Sequence, residues 1–247
     1  MGAALGLSPL LHAQSSRPAV GDHRTWHLAE GATNDFFQEE ILIANPNSGA
    51  ASVQVAFLKS DGAEVVVPVT IPAFSRHTMR VNTIPGLENA NASAMVTSDV
   101  DILVERSMYW PGPARRGGHN AVGVPSPAAK WYFAEGSLGF FQTFFLIANP
   151  GDTPAAVKVT YLRSSDGPLE QTVTVQPRSR HTIDVGTEQP EAGAFSAIIE
   201  STNGVAIMAE RAMYWNDYEG GHDAVGVTEP ARSWRFPEGF TGSGFKT

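Results

Sequence analysis

The chain says nearly everything twice. Trp26-His27-Leu28-Ala29-Glu30-Gly31 returns as Trp131-Tyr132-Phe133-Ala134-Glu135-Gly136, and again as Trp234-Arg235-Phe236-Pro237-Glu238-Gly239. Between these markers the order of motifs is kept. Ile43-Ala44-Asn45-Pro46 matches Ile147-Ala148-Asn149-Pro150, and Ser75-Arg76-His77-Thr78 matches Ser179-Arg180-His181-Thr182. Glu105-Arg106-Ser107-Met108-Tyr109-Trp110 matches Glu210-Arg211-Ala212-Met213-Tyr214-Trp215, and the Gly-Gly-His segments ending at Val124 and Val227 also correspond. A repeat of roughly a hundred residues is near the commonest domain size, so each copy reads as one folded unit. Residues 1–23 form a lead-in, 24–128 the first unit and 129–231 the second. Residues 232–247 either open a third unit or supply a closing strand to the second. A structure with Trp234 and Phe236 exposed and unpaired would exclude the closing strand.

Within a unit the apolar residues alternate over short runs. Val53, Val55 and Phe57 fall on one face of a strand, and Gln171-Thr172-Val173-Thr174-Val175 alternates as cleanly. Ser60-Asp61-Gly62 and Ser165-Asp166-Gly167 are hairpin signals, and Asn-Pro ends the preceding strand in both copies. No window keeps a helical period. Short strands separated by turn chemistry predict an all-β chain of two tandem antiparallel β-sandwiches, broadly immunoglobulin-like, followed by a partial third repeat. The junction Pro125-Ser126-Pro127-Ala128-Ala129 is short and Pro-rich, which predicts a semi-rigid connection.

With 17 basic against 25 acidic residues and a net charge of −8, the chain has no basic stripe, which excludes nucleic acid as a partner. No run approaches the roughly 20 apolar residues of a spanning helix. There is no cysteine, so no disulfide staple is available. Gly2 to Ala13 is a short apolar run ending in a small residue before Gln14, the pattern of a secretory signal cleaved after Ala13, lacking a basic start.

The ordered set WYFAEG, LIANPG, SRHT, AERAMYW and GGHDAVGV resembles repeat modules of secreted and cell-surface bacterial proteins, a family known as a domain of unknown function. The resemblance covers residues 24–247. It implies export, tandem β-rich modules and association with the envelope or with larger multidomain proteins, and it implies no activity. The first unit departs from the pattern at Trp26-His27-Leu28 and at Arg115-Arg116.

Chemistry is sparse. Glu30, Glu135 and Glu238 are equivalent positions of successive units, which favours pairing with Arg106 and Arg211 over an acid–base pair. His77, His119, His181 and His222 are the weak metal candidates, since none stands in a close HxxxH spacing. No catalytic residue is assigned, because the chain lacks Cys and a GxSxG elbow, and no cofactor is called for. Tyr109, Trp110, Tyr214, Trp215, Asn216, Asp217 and Tyr218 are the ligand-binding candidates, because exposed aromatic faces stack on sugars while Asn and Asp bond hydroxyls. For Trp110 and Trp215 the sandwich core is the favoured place, while Asn216, Asp217 and Tyr218 are freer to lie at the surface.

These readings lead to a non-catalytic extracellular module for structure or adhesion, exported by a signal peptide. Its expected partners are neighbouring domains of a longer array and an envelope or extracellular glycan. The first alternative is a carbohydrate-binding accessory module. The second is a hydrolase with its site between the repeats, for which Glu135 with His119 and Glu238 with His222 are the pairs to inspect.

Overall fold

A computed structural model describes residues 23–111, 116–237, 239 and 241–242. The signal-like segment, Arg115 and Glu238 lie outside the described residues. The first unit contains β1 (Thr25–Leu28), β2 (Ala32–Thr33), β3 (Gln38–Asn45), β4 (Ala51–Lys59), β5 (Glu64–Ile71), β6 (Ser75–Arg80), β7 (Ala90–Ser98), β8 (Leu103–Pro111) and β9 (Arg116–Val122). The second contains β10 (Lys130–Phe133), β11 (Phe141–Asn149), β12 (Ala155–Arg163), β13 (Leu169–Val175), β14 (Ser179–Asp184), β15 (Phe195–Ser201), β16 (Met208–Trp215) and β17 (Gly220–Val225), with a single helical turn α1 (Val185–Glu188).

The fold is nearly all β, and its strand pairs are antiparallel. Each unit has two sheets. In the first, the orders are β1-β7-β4-β5, with β2 also on β7, and β6-β3-β8-β9; in the second they are β10-β15-β12-β13 and β14-β11-β16-β17. Period-two alternation places one side chain of each pair between the sheets. Trp26, Leu28, Ile41, Ile43, Val55, Phe57, Val96 and Val104 form the first core. Phe133, Phe145, Tyr161 and Phe195 stack at the centre of the second.

The Asn-Pro motif has a local cause. Asn45 Nδ2 donates to the carbonyls of Gly49, Ile71 and Pro72, while its Oδ1 accepts from the Asn47 N–H. Asn149 repeats this on Thr153, Val175 and Gly151. One buried amide thus ties together the turn and the end of a strand in the other sheet.

The Trp-containing motif begins each unit. Trp26 in β1 pairs with Val96, and Trp131 in β10 pairs with Ile199. His27 bridges Val124, and Tyr132 bridges Val227, so the first strand also binds the last stretch of its own unit. Trp234 is 54% exposed and Phe236 82% exposed, and neither belongs to a strand. Among the described residues of 232–247 none supplies a closing strand to the second unit, whose mark would have been buried apolar packing. At the junction, Val124 is bonded to His27 and Ala128 to Ile207, leaving residues 125–127 between the two bridges.

Candidate functional site

The repeated Glu and Arg meet inside each unit. β8 and β16 place Arg106 and Arg211 on their inward faces, beside Ile41 and Phe145 of the neighbouring strands. Arg106 Nη2 lies 2.9 Å from Glu30 Oε2, and Arg211 Nη2 lies 3.4 Å from Glu135 Oε2. The glycine after each Glu is a close-approach position. A Cβ on Gly31 would fall 2.3 Å from the Ala92 carbonyl oxygen, and one on Gly136 would fall 2.2 Å from the Phe195 ring.

The two copies then part company, because the second unit covers the first. The outward face of the β14-β11-β16-β17 sheet lies on the end of the first sandwich. There Arg106 Nη1 donates to Glu210 at 2.8 Å and Nη2 to Asp223 at 2.8 Å. Glu210 accepts in turn from the Ala29 N–H at 2.7 Å, Arg180 donates to the Gly31 carbonyl at 2.6 Å, and the Tyr214 hydroxyl donates to Glu30 at 3.1 Å. Around this polar centre Trp110, Phe36 and Phe37 of the first unit pack on Tyr214 and Tyr218 of the second. The second core is continuous with Ala29 and Trp110 across the joint.

The joint gathers more acid than base. Two guanidiniums, Arg106 and Arg180, face the carboxyls of Glu30, Glu39, Glu210 and Asp223. Burial opposes the charge on Arg106, but Glu210, Glu30 and Asp223 outweigh it and hold the group firmly cationic. Burial also opposes charge on Glu210, but Arg106 beside it keeps that carboxylate ionised. Glu39 and Asp223 go the other way. Burial pushes Glu39 up to about 8, and burial with the neighbouring Glu210 carries Asp223 far above the carboxylate range. Asp223 and Glu210 share the Arg106 guanidinium at 2.8 Å each, and like charges held so close in a buried site favour a proton on one of them. With Glu39 and Asp223 neutral, two cations face two anions and the interior is balanced. Burial lowers His119 as well, so its 3.5 Å approach to Glu30 joins a neutral ring to a carboxylate.

The counterpart end of the second unit is uncovered. The Glu135 side chain is 61% exposed, whereas that of Glu30 is 5% exposed. Leu58 is 1% exposed in the first unit, and Leu162, its equivalent, is 42% exposed.

Trp110 and Tyr214 are buried in the joint, which removes them as stacking platforms for a ligand. Trp110 Nε1 donates to the Tyr218 carbonyl at 2.7 Å, and Tyr218 packs on Phe36 and Phe37. Asn216 and Asp217 are exposed in a turn where they and Tyr218 all have positive φ, a run of non-glycine residues that only tertiary contacts can hold. Tyr109 is exposed on the outer face of β8, and Trp215 is partly buried.

His119 and His222 stand beside Glu30 and Glu135 of their own units, the latter at 3.9 Å. The pair Glu135 with His119 therefore does not form, and Glu238 lies outside the described residues. His77 lines an open cleft of about 790 Å³ with Glu40, Arg76 and Arg80, and His181 is half-buried in β14. Among the described residues the single grouping of three metal-ligand-type side chains is Glu30, Glu210 and Asp223. It contains no histidine, and the Arg106 guanidinium already bonds all three.

Sequence reasoning missed Glu39, Arg180, Glu210 and Asp223 as members of this cluster. The usable signal was difference between copies: Glu39 stands where the second unit has Thr143, and Asp223 where the first has Asn120.

No protein-family model matches the chain, and no curated protein does. Among solved structures it is similar to Thermotoga maritima 1070, at 21% identity over 41% of this chain and 92% of that one, with a TM-score of 0.38. It is also similar to the Anabaena sensory rhodopsin transducer, at 26% identity over 34% of this chain and 93% of that one, with a TM-score of 0.30. Likenesses at these scores carry no argument about function.

Proposed function

We propose that the protein is a non-catalytic structural or adhesion module of a secreted or cell-surface bacterial protein, in which two β-sandwiches are welded into one stiff body. The observation that carries this reading is the position of Arg106. It bonds Glu30 of its own unit and Glu210 and Asp223 of the next, and its side chain is fully withdrawn from water. The richest set of titratable groups in the described residues is thereby committed to holding two units in register. A buried ionic network adds geometric specificity more than net stability. Catalysis by Glu30 would need a substrate to reach a carboxylate that the joint seals off. The extracellular setting rests on the motif resemblance and the signal-like first residues.

The chain has no cysteine, so spin labels can be placed singly at exposed Asp61→Cys and Asp152→Cys. One narrow inter-label distance, together with no retention on a glycan array or on insoluble polysaccharides, is the expected result. A broad distance distribution, or specific glycan retention lost on Tyr109→Ala, overturns the reading.

A further inference from the structure

The joint within the chain unites two different surfaces. One is the end of a sandwich, built around the WxFxEG glutamate. The other is the outward face of the sheet that carries the ERxMYW strand. Every unit has both by repetition, and among the described residues the end of the second unit and the face of the first are exposed. We propose that these two surfaces bind each other between molecules, so that the outer β6-β3-β8-β9 face of one copy seats on the second-unit end of another. This goes beyond the structural-module reading, which stands for the single chain.

The uncovered face keeps the chemistry that closes the internal joint. Glu105 occupies the place of Glu210, Arg76 that of Arg180 and Tyr109 that of Tyr214, and all three are exposed. Opposite them the uncovered end offers Arg211 with Glu135. By the internal pattern Glu105 pairs with Arg211, Arg76 donates to the Gly136 carbonyl, and Tyr109 donates to Glu135. The apolar rim is present too. Phe140 is 63% exposed in the position of Phe36, and Leu103 is 54% exposed where its counterpart Met208 is covered.

The positions that differ between copies compensate one another across the proposed contact. Asn120 replaces Asp223 and Thr143 replaces Glu39, which deletes the two acids that must be neutral in the internal joint. What remains is two arginines against two glutamates, balanced without bound protons. At the rim, Arg178 pairs with Glu64 at 2.5 Å inside the chain. The corresponding residues on the uncovered surfaces are Phe74 and Pro168, so an apolar pair stands in for an ion pair. Phe74 is 75% exposed.

Because the two surfaces are unlike, the contact is heterologous and does not stop at a pair; it closes into a ring or runs on as a fibre.

The test uses the full chain and two single-ended variants. Glu105→Arg sets like charge against Arg211 and blocks the face, while Leu162→Glu blocks the end; both sites are exposed, and unchanged unfolding midpoints verify the fold. In sedimentation and light scattering at low salt, the unmodified chain is expected to rise with concentration past twice the chain mass. Each variant alone stays at one chain mass, and their equimolar mixture stops at two. An unmodified chain that remains single into the millimolar range, or stops at two, overturns the proposal. So does either variant that associates alone as the unmodified chain does. A single chain that still gives one narrow inter-label distance overturns only the association and leaves the structural module standing.

Discussion

Arg106 donates to Glu210 across the joint at 2.8 Å, and neither side chain is exposed to water. Arg211, the equivalent arginine, reaches Glu135 at 3.4 Å in a site open to solvent. The repeated pair, Arg106 with Glu30 and Arg211 with Glu135, is therefore sealed on both sides in one unit, while in the other the arginine is buried and its glutamate stands open to water.

Arg106→Met takes away the guanidinium that bonds Glu30, Glu210 and Asp223 inside the joint, a loss of about 3–5 kcal/mol. Arg211→Met removes a buried guanidinium whose glutamate partner is open to water, for a smaller loss on the order of 1–2 kcal/mol. Urea unfolding of the two variants measures the difference, and equal losses would contradict the sealed joint.

Glu39 gives the joint a pH dependence. Its folded pKa is raised to about 8 by burial, so between about 4.5 and 8 the folded state holds a proton that the unfolded state has released. Stability then falls as pH rises through that window and levels above it. Between pH 6.5 and 8 the loss is on the order of 2 kcal/mol, and Asp223 adds to it in the same direction. Unfolding midpoints across this range should slope downward in the unmodified chain and less steeply in Glu39→Gln.

His27 acts on the acid side. Burial, then Arg178, lowers it to about 4, so the folded state resists a proton that the unfolded state accepts below 6.5. Stability contributed here is lost as pH falls from 6.5 toward 4. An NMR titration of the imidazole should show a midpoint near 4 that moves upward in Arg178→Gln.

Gly31→Ala drives a Cβ to within 2.3 Å of the Ala92 carbonyl oxygen, a backbone atom that cannot swing aside. A loss of at least about 1–3 kcal/mol is expected from overpacking. Gly49→Ala, where nothing lies within 4 Å, serves as the control and should be neutral or slightly stabilising.

Trp234→Ala and Phe236→Ala should each change stability by less than about 0.5 kcal/mol, because both rings face water. Thermal unfolding distinguishes this from the roughly 3–5 kcal/mol that a buried closing strand would lose with such an aromatic.

The repeat made the sandwiches legible, since alternation at Val53, Val55 and Phe57 records which face meets the core. It also made Glu30 with Arg106 legible as a pair. What stayed hidden was the joint, because repetition averages away what one copy does to the next. Trp110 and Tyr214 read as binding aromatics while nothing in their local sequence says that another unit covers them. Glu39 gives no sign of its neutral state, which comes from groups distant along the chain. The readable trace is at positions where equivalent residues change character, such as Glu39 with Thr143 and Arg178 with Phe74.

The bridges at Val124 and Ala128 leave three residues between the units. A tether that short holds end and face near each other at an effective concentration on the order of millimolar. An interface of modest intrinsic affinity is thus saturated within one molecule, whereas the same surfaces on separate molecules meet only at their actual concentration. Cutting the chain between Pro125 and Pro127 would convert a permanent joint into a dilutable one, and its dissociation constant would measure directly how much of the stiffness belongs to the contact and how much to the tether.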